Sequence, residues 1–400
     1  MRKWIFTIVV SLFACYGITS AGDEDDRDPV RTPLPSQTNI GVTWGEEGSE
    51  EGQLKGPSGI AVDSAGKIYV ADTGNDRIQV FNKRGRFITA WGSAGKDEGN
   101  FGSPGDVAVD LDGYVYVVDP ENFRIQKFDA DGNYLAAWGP DNEPGAGFIR
   151  EPVGVAVDTV GNVYVADAWQ SLILKYDPSG NFITAWGDTP DENGGMFSFR
   201  PTYLALDSAR NVFATDYYNN RVLKFDATGA LIDTWGSKGG GPGEFSYPSG
   251  IAIDASDNVF VADTFNHRIQ QFDNAGNFIS EWGSEGNGDG SFNLPFGAAT
   301  DSSGTIYVAD TFNNRIQVFD LSEKPCMVSS IFGETDVYTQ KMRDFRDRFL
   351  AQSSPGRRLI SLYVRTSAIT EPLIEKSPLA KTTARIMLKP LAAGIDLVIP

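Results

Sequence analysis

Six aspartates recur along this 400-residue chain at near-constant intervals: Asp72, Asp119, Asp167, Asp216, Asp263 and Asp310. Five residues after each, an arginine follows in five cases, at Arg77, Arg124, Arg221, Arg268 and Arg315; Leu172 breaks the series. Evenly spaced carboxylates could form a ring for a cation. The simpler chemistry is local: each carboxylate accepts turn N–H groups and pairs with its arginine, which compensates charge taken out of water. Other reactive side chains are scarce. A single histidine, His267, argues against multi-histidine metal chemistry. Two cysteines, Cys15 and Cys326, support neither a disulfide framework nor a thiolate metal site. Nothing resembles a Ser-His-Asp set or a lysine-containing phosphate loop. Asp110-Leu111-Asp112-Gly113 looks like the start of a calcium loop, but position six would be Val115 instead of glycine. The same count from Asp129 puts Tyr134 there, so both segments read as hairpin turns.

The elements that must hold these aspartates repeat with them. Ile68–Gly92, IYVADTGNDRIQVFNKRGRFITAWG, returns in five further copies, with aspartate spacings of 47, 48, 49, 47 and 47. A period of this length built from short strands signals a propeller. In the third copy, Val155–Asp158, Val163–Ala166, Leu172–Tyr176 and Phe182–Trp186 read as four strands joined by hairpin turns. Such units form antiparallel sheets that bury both faces against their neighbours. A proline precedes each first strand, at Pro57, Pro104, Pro152, Pro201, Pro248 and Pro295. A glycine closes the third turn at Gly85, Gly132, Gly180, Gly229 and Gly276. The fold class is therefore all-β, a six-bladed propeller of four-stranded blades over 39–322.

A Trp-Gly pair ends each fourth strand, at Trp44, Trp91, Trp138, Trp186, Trp235 and Trp282. Repetition in every blade points to packing between blades, at a site with an apolar body and a polar partner for the indole N–H. Trp44 precedes the first complete blade, whereas the sixth blade supplies three strands, Phe296–Phe319. Asn39–Trp44 is thus expected to be the missing fourth strand, in competition with Met327–Gly333.

The runs VADTFNHRIQQFD and VADTFNNRIQVFD, in a frame that repeats six times in phase, resemble the NHL repeat family. The resemblance spans about 44–320. It implies a six-bladed propeller, most often a binding platform for protein or RNA, with some related propellers acting as enzymes. Cys326–Gly333 followed by Met342–Ser367 resembles a C-terminal module of exported bacterial proteins, although its CMVSSIFG box departs from the usual residues. That likeness implies a bacterial source and export.

The ends read differently from the repeats. Met1–Lys3 is basic, and Trp4–Ala14 is an apolar run too short to span a bilayer. Residues 1–21 are expected to be a Sec-type signal peptide, cleaved after Ala21. The competing reading takes Leu12–Cys15 as a lipobox with Cys15 lipidated. Residues 22–38 form an acidic, proline-rich linker. Residues 323–400 are expected to be helical: Met342, Phe345, Phe349 and Leu350 share one helix face. These helices could cap the propeller or lie at a membrane interface.

Formal charge is −19, divided as −23 over residues 1–333 and +4 over 334–400. A body this acidic repels nucleic acid and anionic lipid. The variable position two residues after each marker aspartate holds Gly74, Glu121, Trp169, Tyr218, Phe265 and Phe312. With Tyr217 and the flanking Asn219, Asn266 and Asn313, these aromatics are expected to line one face, together with the inter-blade loops. The sequence reading is an exported, non-catalytic, monomeric scaffold, periplasmic, outer-envelope or extracellular. It needs no cofactor or metal and captures a protein, peptide or envelope glycan on that face; membrane association would come through a lipid anchor or the C-terminal helices. The alternative is a divalent-metal-dependent hydrolase or lactonase.

Overall fold

The computed structural model describes residues 39–40, 42–139, 147–187 and 199–321. The expected signal peptide with Cys15, the expected linker over 22–38, the alternative strand Met327–Gly333 and the expected helical module over 323–400 lie outside the described residues. Those residues form six antiparallel sheets of four strands each, a six-bladed β-propeller.

The first blade shows how the residues make the sheet. β1, Asn39–Ile40, belongs to the last blade; β2 (Ile60–Val62), β3 (Lys67–Asp72), β4 (Arg77–Asn82) and β5 (Phe87–Trp91) build the first. From Ile68 to Asp72 the second strand is buried on both faces. That is why its sequence is an unbroken apolar run and not an alternating one. The outer strand β5 is only partly buried and exposes Ile88. Between β4 and β5 the register slips at Val80/Phe81, a bulge that recurs in blades two to five. Gly85 closes the turn there at φ 72°, a conformation open to glycine without strain.

The core is a set of layers between blades. Tyr69, Ile78 and Val80 of blade one pack on Phe101, Val107, Val117 and Phe128 of blade two. Equivalent layers join blades two to three, three to four, four to five and six to one. Trp44, Trp91, Trp138, Trp186 and Trp235 each lie over the third-turn glycine of the following blade. A Cβ on Gly132 would sit 2.6 Å from the Trp91 ring, and one on Gly276 would sit 2.7 Å from Trp235. The expected polar end of these sites is not found: all six indole Nε1 atoms are buried with no hydrogen-bond partner among the described residues. The rings pack against aromatic side chains, as Trp91 does between Phe128 and Gly132.

The sixth sheet runs in the order β1, then Arg315–Asp320, Thr305–Asp310 and Pro295–Thr300. The N-terminal segment therefore supplies its outer strand. Trp44 and Ile316 exchange two backbone hydrogen bonds, of 3.0 and 2.7 Å.

Candidate functional site

The marker aspartates are fully buried and fully used. In blade one, Asp72 Oδ1 accepts the Lys55 backbone N–H at 2.7 Å. Asp72 Oδ2 accepts from Asn75 Nδ2, Arg77 Nε and Gln79 Nε2 at 2.9, 2.7 and 3.0 Å. The Arg77 guanidinium then donates to the Glu50 and Gln53 carbonyls of the preceding inter-blade loop. The cluster thus ties the loop entering a blade to the turn between its second and third strands, and both lie on one face. Blades two, five and six repeat it with Asp119/Arg124, Asp263/Arg268 and Asp310/Arg315. Blade four pairs Asp216 with Arg221 at 2.8 Å. In blade three Asp167 takes the N–H groups of Arg150, Glu151 and Gln170 instead. Among the described residues no group of three or more His, Cys, Asp or Glu is placed to hold a metal ion.

These clusters also claim the asparagines expected on the ligand face. Asn266 Nδ2 donates to Asp263 and to the Gly239 carbonyl; Asn313 does the same with Asp310 and Gly286. Asn219 Nδ2 bonds both oxygens of Asp216. Their amides face inward because a buried carboxylate offers a stronger acceptor than water offers a surface amide. His267, at φ 52°, accepts the Leu294 N–H on Nδ1 at 3.2 Å, as Asn220 accepts Tyr247 and Asn314 accepts Gly56. The lone histidine is one of a series of latches between blades.

The aromatics present a different picture. Trp169, Tyr218, Phe265 and Phe312 are each about half exposed or more, at 50%, 55%, 47% and 60%. Tyr217 is half-buried and packs against Tyr218 at 5.1 Å and Tyr247 at 4.9 Å between ring centroids. Tyr247 continues to Phe265 at 5.0 Å. The strip extends the other way through two arginines that the sequence reading overlooked. Arg200 lies 4.8 Å over Tyr218, and Arg150 lies 4.8 Å over Trp169. Glu151, next to Arg150 in the chain, accepts from Arg200 at 3.1 Å. Glu151, Arg200 and Tyr247 each stand immediately before a blade proline, in a column otherwise holding Gly56, Ser103 and Leu294. That second variable column was the available signal.

A further outlier lies in the innermost strands. Two residues after the blade proline stand Gly59, Gly154, Gly250 and Gly297, but Asp106 in blade two and Tyr203 in blade four. A Cβ at any of these glycines would meet the next blade within 2.4 Å. Asp106 is 5% exposed and accepts the Val107 and Val155 N–H groups at 2.9 and 3.0 Å, latching blade two to blade three. Tyr203 reaches the opposite side of the axis, where its hydroxyl meets Ser58 of blade one and lies within electrostatic range of Asp106. Burial pushes the Asp106 carboxyl up to about 7, partly opposed by the two N–H donors.

The family match falls on blades one, five and six. Residues 54–81, 245–272 and 292–319 match the NHL repeat. The chain carries NHL repeats. All three stretches end in blades with the complete Asp-Asn-Arg-Gln cluster; blades three and four, which carry the two stacked arginines, are not among them. The B-box type zinc finger protein ncl-1 of Caenorhabditis elegans is 44% identical over 78 residues, which is 18% of this chain and 9% of that protein. The matched stretch thus spans less than a tenth of that curated relative. A gluconolactonase of Xanthomonas campestris superposes with a TM-score of 0.52 at 14% identity, covering 68% of this chain and 87% of that one. An auxiliary nutrient binding protein from Bacteroides thetaiotaomicron gives 0.51 at 12%, covering 66% and 69%. At such identities the likeness establishes the shared fold.

Proposed function

We propose that this NHL propeller is a binding scaffold, exported to the cell envelope, that captures a protein segment on the face carrying Trp169, Tyr218, Phe265 and Phe312. One observation carries the reading. Blades three and four, which lack the complete Asp-Asn-Arg-Gln cluster, stack a guanidinium group on their exposed aromatics Trp169 and Tyr218, while the blades with the complete cluster use their arginines internally. Rigid aromatics held by a scaffold are the usual anchors of an interface. The leader-like residues 1–21 support export, and the acidic body favours a partner that is not a nucleic acid.

The test is a double variant, Trp169→Ala with Tyr218→Ala, compared with the wild type for capture from a solubilised envelope fraction. Capture should be lost while the unfolding temperature moves by only about 2 °C, because both side chains are half exposed. Undiminished capture refutes the assignment.

A further inference from the structure

The strip of rings and guanidinium groups also says what kind of segment it takes. Arg150 is exposed, stacks on Trp169, and forms no ion pair among the described residues. Its neighbour Arg200 shares one carboxylate, Glu151, and stacks on Tyr218. Stacking fixes the plane of a guanidinium, so its N–H fork is oriented before any partner arrives. A free, oriented fork is a receptor for a planar, two-oxygen anion.

The rings decide between a sugar and a side chain. Sugar stacking needs a ring face open to solvent. Arg150 covers one face of Trp169 and Arg200 one face of Tyr218. Tyr217, Tyr218, Tyr247 and Phe265 meet one another at interplanar angles of 73°, 45°, 89° and 56°, which makes a ridged surface and not a platform. Ridges between tilted rings accept branched or aromatic side chains. The inter-blade loops are acidic around the ring, with Glu50, Glu51, Asp97, Glu98 and Glu285, and with Asp141, Glu143, Asp188, Asp191 and Glu192 ahead of the two arginines. Arg150 and Arg200 are thus a local cationic site on an acidic face, which favours a single carboxylate over a strongly acidic segment.

We propose that Arg150 and Arg200 receive an Asp or Glu carboxylate of an extended segment of a partner protein, with the flanking apolar side chains seated on Tyr218, Tyr247 and Phe265. This rests on the binding-scaffold reading above and adds the chemistry of the partner.

A phage-displayed library of random peptides, panned on the immobilised full chain, tests it. Selected sequences should be enriched in Asp or Glu next to an aliphatic or aromatic residue. A selected peptide should lose about tenfold or more in affinity when its acid is replaced by the amide, as expected for a hydrogen bond to a charged group. Arg150→Gln should abolish that discrimination with thermal unfolding unchanged, and Arg150→Lys should restore it only in part, since the ammonium lacks the fork. Neutral peptides that bind through Trp169 and Tyr218 and ignore Arg150 would overturn this inference while leaving the scaffold reading intact. A preference for oligogalacturonate over every selected peptide would also overturn it, in favour of an acidic glycan. Failure to select any peptide counts against it as well.

Discussion

Asp106 makes the stability of this propeller depend on pH in a direction opposite to that of most carboxylates. Its folded-state value near 7 stands against an ordinary 3.8, with burial as the main cause. Folding therefore favours the protonated form. The stability it contributes is complete below the unfolded value, is lost as pH rises towards 7, and is constant above that. The full penalty is about 4 kcal/mol, and the part incurred between pH 5 and pH 8 is about 2.5 kcal/mol. Asp106→Asn keeps a carbonyl oxygen for Val107 or Val155 and removes the titration, at a cost of about 1 kcal/mol for the lost hydrogen bond. Urea unfolding of both full-length proteins, followed by tryptophan fluorescence at the two pH values, isolates the effect. The variant should be the more stable protein by about 3 kcal/mol at pH 8 and by only about 0.5 kcal/mol at pH 5. A difference between the two proteins that does not change with pH would refute the reasoning, because every other titrating group is common to both.

The inter-blade packing predicts an asymmetry between glycines with the same backbone. Gly132→Ala at φ 85° meets Trp91 at 2.6 Å and should cost about 3 kcal/mol, whereas Gly304→Ala at φ 82° meets nothing within 4 Å and should cost about 1 kcal/mol, read from denaturation midpoints. Arg124→Ala leaves Asp119 buried without its cation and should destabilise by about 3 to 5 kcal/mol; a loss below 1 kcal/mol would mean the pair is dispensable. The ring closure predicts that Trp44→Ala, which empties a site between Phe81 and Gly85, costs about 3 to 5 kcal/mol, as judged by urea unfolding.

Much of the architecture was legible because it is periodic. Six copies in phase gave the blade, its strands and the turn glycines, and the displaced Trp44 gave the identity of the closing strand. Asp–Arg pairing was readable for the same reason, since a five-residue offset across a tight turn brings both side chains to one register position, as at Asp72 and Arg77. The site was legible only in part. Trp169 and Tyr218 stood out within one column, whereas Arg200 stands in a column that was not read and Arg150 one residue outside it. Their contact with the rings is a property of three dimensions. Asn266 and Asn313 looked like surface amides because sequence gives their place in a turn but not the direction of the amide. Asp106 replaces a glycine, a substitution visible in the sequence, yet its neutral axial surroundings come from strands of four different blades.

The junction of Trp44 with Ile316 joins residues made about 270 positions apart. A ribosome or translocon releases the first partner long before the second exists. Five sheets can pair locally as they emerge, while the sixth waits with an unsatisfied outer edge until the last strands arrive. Closure of so long a loop is slow and entropically costly. Until it happens, the flanks of the first and last blades are open to strands of other molecules. Assembly of this disc is therefore committed by its final few dozen residues, and truncation there should send the whole chain, not one blade, to aggregation or proteolysis.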